Sequence, residues 1–258
     1  MVTNFFEILI SGIFVGGVAG YLGSLMLSRK MTIVVDPLSH LALPGVALAL
    51  IFQKDISLGA FLFLFLGSIL IWFFEQKTKL PTETIIAILF SASLAITFLF
   101  LSEHEIEEAL VGDISKMGKI ESLITVLISL FVFFLVQKIY SKLTLISISE
   151  DLAKAEKIDL RKYQFFYLLS ISVIVALGVK LVGGLLVASL TALPAATARN
   201  LSKNLKTFKI SAPFFGILSA IFGISLFQTT NLPAGPLIIL SGFLIFLISI
   251  IFKKKLII

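Results

Sequence analysis

Residues 5–27, FFEILISGIFVGGVAGYLGSLML, form the first of several long apolar stretches in this sequence. An α-helix rises 1.5 Å per residue, so such a stretch is long enough to cross the hydrocarbon core of a bilayer, which is roughly 30 Å thick. Its start lacks the basic residues of a signal peptide, and its apolar part is too long for one. We therefore predict a permanent membrane helix here.

Similar stretches recur to the end of the chain, at residues 58–74, 85–101, 123–136 with their flanks, 165–182, 212–227 and 236–252. Of the 258 residues, 58% are hydrophobic and only 14% are charged, and the mean hydropathy is +1.09. A soluble domain of this length needs a far more polar surface. The sequence predicts an all-α, multi-spanning membrane protein whose single membrane domain covers residues 1–258.

The charged residues and the absence of cysteine narrow the function classes. With no cysteine, disulfides, thiolate metal sites and cysteine nucleophiles are excluded. A net charge of +6 would suggest nucleic-acid binding in a soluble protein, but in a membrane protein an excess of basic residues in alternate loops explains it better. We expect the lipid bilayer, and no nucleic acid, to surround this chain.

Basic residues recur at every second loop: Arg29–Lys30, Lys77 and Lys79, Lys138 and Lys142, Arg161–Lys162, Arg199 with Lys203, Lys206 and Lys209, and residues 253–255. By the positive-inside rule these loops lie in the cytoplasm. We predict about nine segments in the cell membrane, with the N-terminus outside and the C-terminus inside. An odd number of segments, which puts the two ends of the chain on opposite sides, requires two short helices within residues 163–198, with a break near Gly183–Gly184. The alternative is eight spans with re-entrant pieces.

Two rows of small residues are spaced for helix packing. Gly12, Gly16, Gly20 and Ser24 form the first row, and Gly216, Ala220 and Gly223 form the second. Small side chains let helix backbones approach closely in a membrane. We expect these rows to lie at helix contacts and not to act directly in transport.

Two ionisable residues stand in an otherwise apolar segment, VDPLSHLALPGVA at residues 35–47. Pro37 suits the first turn of a helix, so Asp36 is expected at the N-cap or in the first turn, with the helix running on from there. Asp36 and His40 are four residues apart and would share one helix face. Ionisable groups at membrane depth are costly and by default indicate an ion path.

A carboxylate and an imidazole on one helix turn are donors suited to Zn²⁺, Mn²⁺ or Fe²⁺, whereas the lack of cysteine disfavours Cu⁺. Asp36 and His40 are too few for a tight structural site, so we expect a transported divalent ion and no permanently bound cofactor. In the alternative interpretation, Asp36 caps the helix and His40 bonds a neighbouring carbonyl.

Further candidates lie in the loop between the apolar stretches 85–101 and 123–136. Glu103, His104 and Glu105 belong to an acidic cluster on the predicted outer side, which would concentrate cations at a pathway entrance or simply form a solvated loop. Asp113, a lone acid beside Gly112, is a further candidate for the pathway.

Energy for transport must come from another chain, because no phosphate-binding Gly-x-x-x-x-Gly-Lys-Ser/Thr loop is present. Residues 147–158 predict a short cytoplasmic helix between two membrane helices. Ser149 is placed to cap it, and Glu150 and Asp151 fall in its first turn, where the helix dipole favours acids. A short loop helix is marginal alone, so we expect it to pack onto a partner.

Several motifs together resemble the permease subunits of bacterial ABC importers for zinc and manganese. In chain order they are Asp36-x-x-Ser39-His40-x-x-Leu43-Pro44-Gly45-Val46-Ala47, Gly112-Asp113-Ile114, residues 179–188 (VKLVGGLLVA), residues 193–199 (LPAATAR) and residues 233–236 (PAGP). The resemblance covers nearly the whole chain. It implies an importer fold of the vitamin B12 and metal-chelate type.

This resemblance also implies partners and residue roles. A homodimer would surround the pathway, with two cytoplasmic ATPases and an extracytoplasmic metal-binding protein. Asp36 and His40 would be metal ligands. The resemblance also implies that Ser149, Glu150, Asp151 and Ala153 belong to a helix that couples the permease to the ATPase. It implies structural roles for Pro44, Gly45, Pro194 and Arg199. Relatives often carry Gly after the coupling helix, where this chain has Glu156 and Lys157.

Three other functions stay open at this point. A related permease could import a larger chelate, a siderophore or cobalamin, through an apolar vestibule. An intramembrane enzyme could use Ser39 with Asp36 and His40, although adjacent residues point to different helix faces. A structural scaffold would have no use for an ionisable pair at membrane depth.

Overall fold

Helices form every regular element in the computed structural model, which describes residues 4–54, 56–100, 114, 117–184, 186–230 and 232–253, leaving aside the side chains of residues 33, 50, 56 and 57. The helices are α1 (Phe5–Ser28), α2 (Val35–His40), α3 (Leu43–Ile51), α4 (Ile56–Thr78), α5 (Thr82–Phe100), α6 (Lys119–Ile148), α7 (Glu150–Ala155), α8 (Leu160–Val182), α9 (Val187–Leu201), α10 (Leu205–Thr230) and α11 (Ala234–Ile251).

Seven of the described helices, α1, α4, α5, α6, α8, α10 and α11, are long and apolar enough to span a membrane. They confirm the seven stretches expected from hydropathy. Two shorter segments, the α2–α3 pair and α9, pack among them. Together they make nine packed segments in the described part of the chain, in agreement with the predicted fold class.

The interruption expected near Gly183–Gly184 is confirmed. Helix α8 ends at Val182 and α9 begins at Val187. Gly183 has φ of 88°, a backbone conformation that side chains with a Cβ rarely adopt. The expectation of two short helices is wrong for the first of them, because α8 has 23 residues and starts at Leu160. It begins three residues before the predicted stretch 163–198 and includes Arg161 and Lys162, which were expected in a cytoplasmic loop.

Helix α1 lies at the centre of the bundle, with 72% of its most apolar window buried. Its small residues lie at a helix contact, as predicted, and the structure shows that they face the second small row, on α10. A Cβ added at Gly16 would lie 2.7 Å from the carbonyl oxygen of Gly216, and one at Gly20 would overlap the carbonyl oxygen of Ala212. These glycines therefore set the distance between the two helix backbones.

The outer helices expose their large apolar side chains. Helix α5 is only 22% buried over its most apolar window, and Leu99 and Ile120 are 79% and 78% exposed. An apolar surface of this extent is unstable in water and requires a covering of lipid or protein. The fold thus has the surface of a membrane protein.

Candidate functional site

Asp36 lies in the first turn of α2, as expected, but the helix does not run on past His40. The Leu41 and Ala42 amides bond the carbonyls of Leu38 and Ser39, three residues back, at 3.1 Å each, and α3 starts at Leu43. The reason is Pro44, which has no N–H to give to the carbonyl four residues earlier, that of His40. The predicted continuous helix is therefore wrong, and the site occupies the end of a six-residue helix.

Helix α5 satisfies the carbonyl that Pro44 leaves without a helical donor. The Ser93 hydroxyl donates a 2.9 Å hydrogen bond to the His40 carbonyl oxygen. The His40 and Phe90 rings also pack together, with their centroids 5.3 Å apart. Two contacts from α5 thus fix the backbone and the ring of the candidate ligand. Sequence analysis missed Phe90 and Ser93, because nothing local marks either residue.

Ser39 connects α2 to the interruption between α8 and α9. Its hydroxyl is buried and lies 2.7 Å from the Asp36 carbonyl and 3.0 Å from that of Gly184, both acceptors. Because the hydroxyl donates to carbonyls, it is not arranged as a nucleophile activated by His40. The intramembrane enzyme is accordingly disfavoured by this geometry.

The Asp36–His40 pair carries a carboxylate and an imidazole, two groups that bind divalent metal ions. His40 is half-buried, and its buried Nδ1 has no hydrogen-bond partner among the described residues. Asp36 is exposed on the single chain, and its carboxylate interacts electrostatically with the imidazole. Val34, not Asp36, occupies the N-cap position. A buried polar atom without a partner is unusual and calls for a ligand or water.

The described part of the chain holds no group of three or more His, Cys, Asp or Glu side chains close enough to bind a metal ion. His104, Glu103, Glu105 and Asp113 lie outside the described residues.

The Pro44–Gly45 step fixes α3 against α4. A Cβ added at Gly45 would overlap the carbonyl oxygen of Gly59 on α4, and a Cβ added at Gly59 would overlap that of Gly45. Pro194 is buried inside α9, whereas Arg199 is exposed in its last turn. Gly45 and Pro194 therefore hold packed positions.

A further feature, not predicted from the sequence, is an ion pair between Glu121 and Lys180. Glu121 stands in the first turn of α6 and Lys180 in the last turn of α8. Each stands at the end of an apolar stretch, and that common position is the signal that could have suggested the pair. It joins the two helices at the end of the bundle opposite α7.

The short loop helix exists, but as α7 (Glu150–Ala155) it is shorter than the predicted segment 147–158. The Ser149 hydroxyl accepts from the Leu152 amide at 3.3 Å, so Ser149 is the predicted cap. Glu150 and Asp151 lie in the first turn. Ala153 is fully buried against its own chain, whereas Leu152 is 55% exposed. On the single chain, Leu152 is therefore an exposed apolar residue of this helix and Ala153 is buried.

Two backbone hydrogen bonds end α7 and turn the chain toward α8. The Lys157 amide bonds the Lys154 carbonyl at 2.9 Å, and the Ile158 amide bonds the Ala153 carbonyl at 3.0 Å. This is the Schellman pattern, in which the residue after the cap adopts a left-handed conformation and is usually Gly. Lys157 has φ of 56°, so a side chain here occupies a position that favours glycine.

Comparison with known proteins identifies the family. Residues 1–253 match the model of the ABC 3 transport family. The chain belongs to this family. The match confirms the resemblance noted from the motifs, and it makes the chain a multi-pass transport protein of the cell membrane.

Similar ABC 3 proteins cover nearly the whole chain. It is 29% identical over 251 residues to the manganese transport system membrane protein MntC of Listeria monocytogenes, covering 96% of this chain and 90% of that protein. It is 33% identical over 254 residues to the high-affinity zinc uptake system membrane protein ZnuB of Buchnera aphidicola subsp. Acyrthosiphon pisum, covering 95% of each.

Solved structures share the fold of this ABC 3 chain. PsaBC from Streptococcus pneumoniae, in complex with Fab, matches with a TM-score of 0.80 and 28% identity, over 96% of this chain and 95% of that chain. An inward-facing metal-chelate type ABC transporter matches with a TM-score of 0.74 at 18% identity, over 95% and 85% of the two chains. The second likeness concerns the fold alone.

Proposed function

We propose that this chain is the permease subunit of an ATP-driven importer of a divalent transition metal ion, Mn²⁺ or Zn²⁺, with Fe²⁺ fitting the same donors. The names of the relatives, a manganese transport protein and a zinc uptake protein, support the substrate class. The observation that carries the proposal is the Asp36–His40 pair, with an exposed carboxylate beside an imidazole whose Nδ1 has no partner among the described residues.

The donor set suits a transported ion. A carboxylate oxygen and an imidazole nitrogen from one chain leave most of the coordination shell to water or to other protein groups. Such a site binds strongly enough to attract the ion and weakly enough to release it. Ser39 and Ser93 hold the backbone of the pair through carbonyl contacts, so their hydroxyls position the donors without competing for the ion.

The exposure of Asp36 supports a homodimer. A carboxylate facing hydrocarbon costs several kcal/mol, so such groups face a protein interior or a watery cavity. On the single chain Asp36 is exposed. A second copy packed over this face would enclose the carboxylate in a central pathway, and the equivalent pair of the partner would add donors.

The cytoplasmic side fits docking of ATPases. With no phosphate-binding loop of its own, the chain needs a partner that hydrolyses ATP, and we propose two such subunits, one for each permease. Helix α7 presents the exposed Leu152 beside the exposed acids Glu150 and Asp151. On the opposite side, an extracytoplasmic metal-binding protein would deliver the ion.

The test is uptake of radioactive Mn²⁺ and Zn²⁺ by cells that carry the Asp36→Ala or His40→Ala variant at matched membrane abundance. We expect uptake to fall at least tenfold in both, as one lost ligand costs more than 1.4 kcal/mol of binding. Glu83→Ala is the matched control, since Glu83 is an exposed acid in the first turn of α5. Normal uptake by both site variants would refute the assignment. Stronger competition by a metal chelate than by free metal would identify a chelate permease instead.

A further inference from the structure

A groove of about 500 Å³ lies between α1, α6 and α10, away from the Asp36–His40 pair. We call it the α1–α6–α10 groove. Its walls are mostly apolar, and one end is polar, with Lys209, Gln137 and Tyr21. The apolar wall residues that matter here are Ile13, Gly17, Phe133, Ile210 and Ile217. None of these side chains takes part in the proposed metal site.

Lys209 supplies a cation at the polar end of the groove. Its Nζ lies 4.4 Å from the ring centroid of Tyr140 and 5.4 Å from that of Tyr21. Within the described residues it has no carboxylate within 4 Å. The acids of the facing helices, Glu7 on α1 and Glu121 on α6, stand at the far ends of those helices. A cation at this depth of a membrane helix is stabilised by a nearby negative charge, which the described residues around Lys209 do not provide.

A second buried polar group at this end also has no partner. Tyr21 is 3% exposed, and its hydroxyl has no hydrogen-bond partner among the described residues. Gln137 is exposed and offers both a donor and an acceptor. Lys209, Tyr21 and Gln137 thus form a donor-rich site at the mouth of an apolar channel.

We propose that the α1–α6–α10 groove binds an anionic phospholipid. The phosphodiester would accept hydrogen bonds from Lys209 and Gln137, and one acyl chain would follow the apolar wall. Gly17 has no side chain to obstruct this wall. The basic end of α10 is predicted to face the cytoplasm, so the lipid belongs to the inner leaflet. Basic pockets between membrane helices at that level bind anionic head groups.

A lipid fits this site better than a second copy of the chain does. In a symmetric dimer formed through this groove, the partner would present the same lining, which includes a second Lys209 and no Asp or Glu. A phosphate supplies the missing negative charge, and a single acyl chain matches the narrow apolar wall.

The experiment uses the full chain with its partners in nanodiscs and a photoreactive phosphatidylglycerol that carries a diazirine on its acyl chain. We expect crosslinks to peptides of α1 and α10 that line the groove. Lys209→Gln should lower this labelling about fivefold, the effect of one basic side chain on an anionic lipid. Lys206→Gln is the matched control, because Lys206 is exposed on the same helix but outside the groove.

Second variants keep the test decisive if Lys209→Gln fails to fold. Ile210 is 64% exposed at the groove, so a charged side chain here need not be buried: Ile210→Glu should lower labelling, whereas Ile210→Lys should not. Equal labelling by a matched phosphatidylcholine probe, or equal losses in Lys206→Gln and Lys209→Gln, would overturn the proposal. So would a disulfide between two copies of Ile210→Cys, which is readable because the chain has no other cysteine. Metal uptake is not the readout, so failure here leaves the proposed function untouched.

Discussion

The Ser93 hydroxyl of α5 donates a 2.9 Å hydrogen bond to the carbonyl oxygen of His40. In a continuous helix residue 44 would donate to this carbonyl, but Pro44 has no N–H. The break between α2 and α3 leaves the His40 carbonyl without a donor, and Ser93 on α5 supplies that donor. This contact makes the position of His40 depend on α5, a helix far from it in sequence.

Removing this hydroxyl should weaken both stability and transport. In Ser93→Ala the buried His40 carbonyl loses its donor, which costs about 1–3 kcal/mol of unfolding free energy. The ligand also loses its fixed position, so metal uptake should fall several-fold. Denaturant unfolding of the purified chain and radioactive uptake measure the two effects.

The control for Ser93→Ala is Ser91→Ala, two residues away on the same helix. The Ser91 hydroxyl is exposed and bonds the Ala87 carbonyl of its own helix at 3.0 Å. Its loss should change unfolding by less than about 0.5 kcal/mol. If the two variants behaved alike, the Ser93 contact would not be what holds His40.

Gly45→Ala should separate α3 from α4. The added Cβ would overlap the Gly59 carbonyl oxygen, which is backbone and cannot move aside. Overpacking of this kind costs about 1–3 kcal/mol, and the thermal unfolding temperature should fall accordingly. Gly118→Ala is the control, since a Cβ there would have no heavy atom within 4 Å. An unchanged midpoint in Gly45→Ala would show that α3 and α4 can move apart at no cost.

Hydropathy predicted the long helices well because one physical requirement, burial of apolar side chains and backbone in lipid, fixes their length. The rows of small residues were also readable, since spacing of four places Gly12, Gly16 and Gly20 on one face of α1. The facing partners on α10 followed the same rule, and the structure brings the two rows together.

The details of the site could not be read in this way. Pro44 was visible, but its effect on His40 depends on a donor from α5 that only the folded chain supplies. The contact of Ser39 with Gly184 joins residues 145 positions apart, and the Glu121–Lys180 pair joins two helix ends. Such contacts are set by packing, and no local pattern records them.

Leu152→Ser should impair association with the ATPase. Leu152 is 55% exposed on α7, and an exposed apolar residue on a short loop helix is a natural anchor in a partner's pocket. Co-purification of the ATPase subunit should fall by about tenfold, for a loss of roughly 1–3 kcal/mol. Leu205→Ser, at another exposed helix start, is the control. Equal recovery of ATPase with both variants would exclude Leu152 as an anchor.

Lys157→Gly should stabilise the end of α7, although it removes a side chain. Lys157 adopts φ of 56°, and a left-handed conformation costs a residue with a Cβ about 1 kcal/mol more than it costs glycine. Unfolding free energy should therefore rise by up to about 1 kcal/mol, and hydrogen exchange of the Lys157 and Ile158 amides should slow.

The matched control for Lys157→Gly should change the free energy of unfolding in the opposite direction. Lys154→Gly places glycine inside the same helix, where it lowers stability by about 1 kcal/mol. The exposed ion pairs of Lys154 with Glu150 at 3.9 Å and Asp151 at 3.8 Å add little to that loss. Opposite shifts in the two variants would show that the left-handed turn, and not the lysine charge, limits the stability of this segment. Parallel shifts would mean that loss of the lysine charge, and not the left-handed backbone conformation, determines the change in stability.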